Sequence, residues 1–191
     1  MTCGNISKNI VAANCKISNA AIDADIILFN LDDIDKAQCK IDGNVCSEFM
    51  MKSGKFGYQW SGHKNSFEST VALYKGTYAN GFDHALVLRV FAKTQDTKDE
   101  LNKLAQGKVV AMVRNLDSQN DETKYEIYGY DNGLVMTDLQ SASTDGDGVL
   151  YSFNLGEADN EHESQLPLSY FAETLAATET AREALIFNPT A

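Results

Sequence analysis

The stretch "KYEIYGYDNGLVMTDLQ", Lys124 to Gln140, carries three tyrosines within six residues, then an Asn-Gly pair, then Leu134, Val135 and Met136. Asn-Gly between apolar residues is a strong hairpin signal, and Asn132-Gly133 fits a two-residue type I′ turn. In that register Tyr130 faces Val135, Tyr128 faces Thr137 and Glu126 faces Leu139. One face then carries Tyr128, Tyr130, Val135 and Leu139, and the other carries Tyr125, Ile127, Leu134 and Met136. An antiparallel hairpin on the outside of a domain keeps one face polar. Here neither face is polar, so the hairpin is expected between layers, with the core on one side and a helix or another subunit on the other. Tyrosine and methionine are enriched at interfaces. Tyr128, Tyr130, Val135 and Leu139 are therefore the candidate subunit contact.

Working outward, short strands surround this segment. "ADIILFNL" (24–31) and "KVVAMVRN" (108–115) read as buried strands, "STVALYKG" (69–76) as a further strand, and "HALVLRVFA" (84–92) as a central one, with Asn80-Gly81 as a turn before it. "VLYSFNL" (149–155) alternates as a half-buried antiparallel strand does, and "LPLSYF" ends the β region. Gly43, Gly54, Gly57 and Gly62 break an aromatic stretch that suits an extended hairpin over 43–62. "TQDTKDELNKLAQG" sets Thr97 three residues before Glu100, a capping-box spacing, and predicts a helix over 96–106 that ends at Gly107. Thr174 to Ala184 is a weaker helix candidate. The expected fold is mainly β: a two-sheet sandwich or barrel of antiparallel strands over 23–171, with one flanking helix. An N-terminal arm (1–22) precedes it and a C-terminal tail (172–191) follows.

Charge divides the chain unevenly. Residues 1–116 hold 14 Lys/Arg against 12 Asp/Glu, whereas 117–191 hold 2 against 15, within a net charge of −11. Such a balance disfavours a phosphate-gripping nucleic-acid binder and suits a surface that repels DNA, or simple solubility. Asp117, Asp121, Glu122, Asp145, Asp147, Glu157, Asp159, Glu161 and Glu163 are the candidate acidic surface. The run Glu157–Glu163 reads as one solvated loop, which gives its carboxylates one environment rather than the two that acid–base chemistry needs. Cys3, Cys15, Cys39 and Cys46 lack metal-ligand spacing and read as reduced thiols, although Cys39 and Cys46 flank a turn that a bridge would fit. Asp145 and Asp147 have a calcium-loop spacing but lack the closing Glu. The nucleotide-binding, metalloprotease and nucleophile-elbow motifs are absent. His63, His84 and His162 lie far apart, so no enzyme and no cofactor is expected. No run of about 18 apolar residues calls for a membrane span, and no secretory signal pattern opens the chain.

The order strand–helix–strand in "LVLRVFAKTQDTKDELNKLAQGKVVAMVRN", followed by "YEIYGYDNGLVMTDLQ", "GVLYSFNL" and "ESQLPLSYF", resembles tail-tube-like structural proteins of tailed bacteriophages, over roughly residues 24–171. The resemblance implies a non-enzymatic virion protein made in the host cytoplasm. Copies would close into rings of a tail tube or neck and contact neighbouring tail or neck proteins. Phage DNA would pass through without specific binding, along an acidic lumen. It implies no catalytic residue. The other readings are a capsid-decorating or adaptor subunit, and a carbohydrate-binding adhesive module using Trp60 with Tyr58 and Phe56.

Overall fold

The computed structural model describes residues 7, 22–62, 66–116, 121–142 and 150–188. The N-terminal arm expected over 1–22 lies outside them, apart from Ser7 and Ile22. Eleven strands and two helices follow in the order β1 (Ile22–Asn30), β2 (Lys40–Asp42), β3 (Val45–Glu48), β4 (Tyr58–Ser61), β5 (Glu68–Lys75), β6 (Asn80–Val90), α1 (Gln95–Leu104), β7 (Val109–Asn115), β8 (Tyr125–Tyr128), β9 (Leu134–Ala142), β10 (Leu150–Glu157), β11 (Leu168–Tyr170) and α2 (Leu175–Ala184).

All strands join in one open sheet that bends into two parts. The first part runs β4-β1-β7-β8-β11-β3-β2, and the second runs β9-β10-β6-β5. A single residue pair, Val109 with Leu134, ties β7 to β9 and joins the parts. Every pairing between these strands is antiparallel except that of β11 with β3. The molecule is thus a mainly β sandwich with a flanking helix, and the weaker candidate over 174–184 forms a second helix, α2.

The apolar run of β7 explains the layering. Alternate strand residues point to opposite faces: Val109, Ala111 and Val113 enter one core, and Val110 and Met112 enter another. β1 does the same, with Ile26 and Leu28 in the first core and Ile27 and Phe29 in the second. The first core is closed by Leu86, Leu88, Phe153 and Leu155 of the second sheet part and by Leu101 and Leu104 of α1. The second is closed by Ile34, Phe49 and Met51 of the segment after β1, and by Leu175, Ala181 and Leu185 on and beside α2. Strands buried on both faces carry continuous apolar runs, which is how β1 and β7 read.

The hairpin is not a hairpin. β8 pairs with β7 (Ala111 with Tyr128, Met112 with Ile127), while β9 pairs with β10 (Phe153 with Leu139, Asn154 with Asp138). β8 and β9 lie one after the other along the same edge of β7, separated by a five-residue corner, Gly129 to Gly133. Both glycines have positive φ, +71° and +78°, and the Gly133 N–H donates to the Gly129 carbonyl at 3.0 Å. A Cβ on Gly129 would lie 2.6 Å from Leu134 Cγ, so this tight corner requires glycine. Between core layers on both sides, the corner hands the chain from one sheet part to the other.

Three further expectations change. The stretch 43–62 forms no extended hairpin, because β3 pairs with β2 and β11 while β4 pairs with β1. Asn80 and Gly81 lie inside β6; the turn before it spans Gly76–Ala79. Helix α1 is capped by Thr94, whose hydroxyl accepts the Thr97 N–H at 3.2 Å. Glu100 closes no capping box there; it is fully buried and accepts from the Ser7 N–H at 2.7 Å and from Lys103 Nζ at 2.7 Å.

Candidate assembly edges and the acidic corner

The four residues expected to share an interface face do not share one. Tyr128 is buried in the first core and Tyr130 in the second, where Phe49 meets the Tyr130 ring at 6.4 Å between centroids. Val135 is half-buried beside the corner, and Leu139, on the outer part of β9, is 45% exposed. The expectation fails because it assumed a two-residue turn; a five-residue corner changes every partner along the strands.

Leu139 nevertheless belongs to a coherent feature. The second sheet part has two outer edges. Among the described residues, β5 pairs only with β6, and β9 beyond Leu134 pairs only with β10. β5 is exposed along nearly all of its eight residues. Val71 pairs with His84 and Leu73 with Phe82, so both point to the core side of the sheet, yet they are 38% and 52% exposed. On the opposite edge Leu139, paired with buried Phe153, also points to the core side. Apolar side chains thus overhang the core at both edges. Tyr78, in the turn between β5 and β6, is fully exposed.

The candidate acidic surface divides. Asp117, Asp145 and Asp147 lie outside the described residues. Asp121 and Glu122 are exposed in the loop between β7 and β8. Glu157, Asp159, Glu161 and Glu163 lie near the other end of β7, where Glu161 pairs with Lys108. Seven residues of strand separate the two groups, on the order of 20 Å.

Nor is the run Glu157–Glu163 one solvated loop. Asp159 is exposed, but Glu163 is only 2% exposed and closes the corner. Its carboxylate accepts the Asp131 and Asn132 N–H groups, each at 2.8 Å, while its backbone exchanges two hydrogen bonds with Phe82 of β6. Burial pushes its pKa up, and the two N–H donors oppose that shift. The Asp131 side chain in turn accepts from the Ser164 hydroxyl at 2.5 Å. Asn132 Nδ2 donates to the His162 carbonyl at 2.8 Å. The His162 ring stacks on Tyr74 at 3.5 Å and meets Asp83 at 2.5 Å.

His84 lies behind this clasp, 2% exposed. Its Nδ1 accepts the Gly129 N–H at 3.1 Å, so its Nε2 carries the hydrogen and donates to the Gln165 carbonyl at 3.1 Å. Burial holds the ring well below its usual range, at about 4. Glu157 accepts the His84 backbone N–H at 3.1 Å through Oε1, and burial, with Glu163, Asp83 and Glu161 nearby, pushes its carboxyl to about 8. Two strongly perturbed groups side by side are an active-site signal, but here both ring nitrogens are already bonded within the fold.

Elsewhere, a cavity of about 410 Å³ lies between α2 and the first sheet part, lined by Asp25, Arg114, Tyr125, Glu179 and Arg182. Its lining carries charges of both signs. Trp60 is fully buried against Phe153 at 5.8 Å, so its face is not presented to a sugar. Cys39 and Cys46 are free thiols, and burial raises Cys46 to about 12. Among the described residues no group of three or more His, Cys, Asp or Glu could hold a metal ion, and no helix is long and apolar enough to cross a membrane.

Sequence reasoning named Glu163 only as acidic surface and His84 only as an isolated histidine, and it missed their part in the corner and the β5 edge. Glu163 and His84 carry no local signal, because their partners lie about 30 and 45 residues away, respectively. β5 did carry one: Val71, Leu73 and Tyr74 put apolar groups on both of its faces. Comparison with family models, curated proteins and solved structures finds no match to this chain.

Proposed function

We propose that this protein is a non-enzymatic structural subunit whose copies join edge to edge into a closed ring, as in the tail tube or neck of a tailed bacteriophage. One observation carries the reading: among the described residues, the second sheet part has two unpaired edges of matching polarity. Its four strands alternate in direction, so β5 at one edge runs opposite to β9 at the other. Setting β5 of one copy beside β9 of the next continues the antiparallel alternation. It also brings Val71 and Leu73 onto the same face as Leu139. Long exposed edges with apolar side chains are a liability in a lone protein, and a head-to-tail contact that closes removes them. A pairing over six residues makes about six backbone hydrogen bonds, each worth about 1 kcal/mol net.

In such a ring the face of the second sheet part turned away from the core would line the lumen. It carries Thr70, Ala85 and Asn154, the Glu68–Arg89 pair at 2.7 Å, and Asp138. Apart from Val87 and Tyr74 its described side chains are small or polar, with an acidic surplus, and it suits a conduit along which DNA slides without being gripped. The acidity relevant to a lumen is then this face rather than the residues first expected. Neighbouring tail or neck proteins would meet the ring at its ends, in a virion assembled in the host cytoplasm.

The test uses two single substitutions, L73K on the β5 edge and L139K on the β9 edge. Light scattering and negative-stain imaging should show rings or tubes for the unaltered protein and monomers for either variant alone. Mixing the variants leaves one intact edge on each, so the mixture should form one-to-one dimers and nothing larger. An unaltered protein that stays monomeric at high concentration, or a variant that still forms rings, refutes the reading.

A further inference from the structure

The corner between the sheet parts carries a second inference, which does not depend on the ring. Glu157 ends β10, with Oε1 bonded to the His84 N–H, while its Oε2 is buried and meets no donor. The charged and titratable groups around it are mostly acidic. β6 brings Asp83 and His84, and the loop after β10 brings Glu161, His162 and Glu163. The Gly129–Gly133 corner brings Asp131, and β5 brings Tyr74. The nearby cations are committed elsewhere: Lys108 pairs with Glu161, and Lys36 donates to the Asp131 carbonyl at 2.8 Å and lies over the Tyr130 ring. A buried carboxyl oxygen without a donor, beside Glu163 and, among the described residues, without a cation of its own, is relieved by a proton.

The same place is the joint of the fold. Only the pair Val109–Leu134 ties β7 to β9, so the backbone joint between the sheet parts, beside the first core packed between them, is held by what grips the corner. Glu163 holds the Asp131 and Asn132 N–H groups, and His84 holds that of Gly129. Glu157 touches the backbone of His84 and shares its acidic surroundings with Glu163. We propose that Glu157 is a proton-operated lock on this corner: with the proton bound, the corner is held shut, and with the proton lost, a second buried negative charge loosens the grip of Glu163 and His84. No bond is made or broken apart from the carboxyl O–H, and the proton goes to solvent. The displacement of the Glu157 carboxyl to about 8 places the change just above neutrality.

Amide hydrogen exchange tests this between pH 6 and 9, after correction for the intrinsic rise with pH. The amides of Gly129, Asp131, Asn132 and His84 should lose protection at least tenfold across that range, while those of Val110 and Met112 in β7 should not. In E157Q, which keeps an acceptor for the His84 N–H and cannot ionise, the corner amides should lose no protection. A corner equally pH-dependent in E157Q and the unaltered protein overturns the proposal. So does a loss of protection spread evenly through β7. Should E157Q fold poorly, a carbon-13 titration of the glutamate carboxyls in the unaltered protein decides. A resonance titrating near 8 supports the lock, and all glutamates titrating below 6 refute it.

Discussion

Replacing Glu163 by Gln tests whether the acidic run clasps the corner or merely decorates it. The carboxylate accepts two backbone N–H groups at 2.8 Å while almost fully buried. Glutamine offers one oxygen; its NH₂ group would face the other N–H with nothing to accept. The change removes a charge-assisted bond worth about 1.5–3 kcal/mol and strands a buried donor at about 1–3 kcal/mol. Against that, the neutral side chain is cheaper to bury in an acidic neighbourhood, which returns part of the loss. The net expectation is destabilisation by about 2–3 kcal/mol. With a urea slope of about 2 kcal/mol/M the midpoint should fall by about 1 M at constant slope. Trp60, the single and fully buried tryptophan, supplies the fluorescence signal. E161Q, which removes the partner of Lys108 on a partly exposed pair, should shift the midpoint far less, since such pairs are worth about 0–1 kcal/mol. An E163Q midpoint within about 0.2 M of the unaltered protein would refute the clasp and mean that the buried carboxyl is already protonated.

The pH profile of stability should show two opposed slopes. His84 is held down to about 4, so its contribution is present above its ordinary 6.5 and is lost as pH falls toward 4. Glu157 is held up to about 8, so its contribution is present below its ordinary 4.5 and is lost as pH rises through 8. Between pH 4.5 and 6.5 the two offset one another. In chemical denaturation across that window, E157Q should lose about 2 kcal/mol more than the unaltered protein on acidification. H84N, less stable at neutral pH, should instead gain on acidification; parallel profiles would contradict both assignments. Stopping the chain after Phe171 should uncover Phe29, Tyr125 and Ile127. Losing Leu175, Ala181, Leu185 and Ile186 from the second core should cost about 5 kcal/mol in all, seen as a lower melting temperature and new binding of an apolar dye.

Where the sequence pattern was local, it was legible. The alternation of Leu86, Leu88 and Val90, the apolar run of β7 and the polar helix after Thr94 all carry their structure in neighbouring residues. The two apolar faces of Lys124–Gln140 also pointed correctly to a place between layers. The register did not follow, because Asn132-Gly133 is compatible with a two-residue turn until Gly129 is seen to need positive φ as well. The acidic run deceived for a different reason. A buried carboxylate is permitted only by its donors, and those of Glu163 are amides about 30 residues earlier. Helix α2 looked weak because its apolar residues are few, yet Leu175 and Ala181, with Leu185 just beyond, help close a face that β1 and β7 could not have left open.

That closure has a consequence for the order of events during synthesis. β1 emerges early, and its Ile27 and Phe29 need a cover that includes α2, which follows β11. At about 5–20 residues per second the wait is on the order of ten seconds, spent with one greasy side of a growing sheet unprotected. A nascent chain in that condition is a client for holding chaperones, and slowing its translation should raise the yield of inclusion bodies rather than lower it.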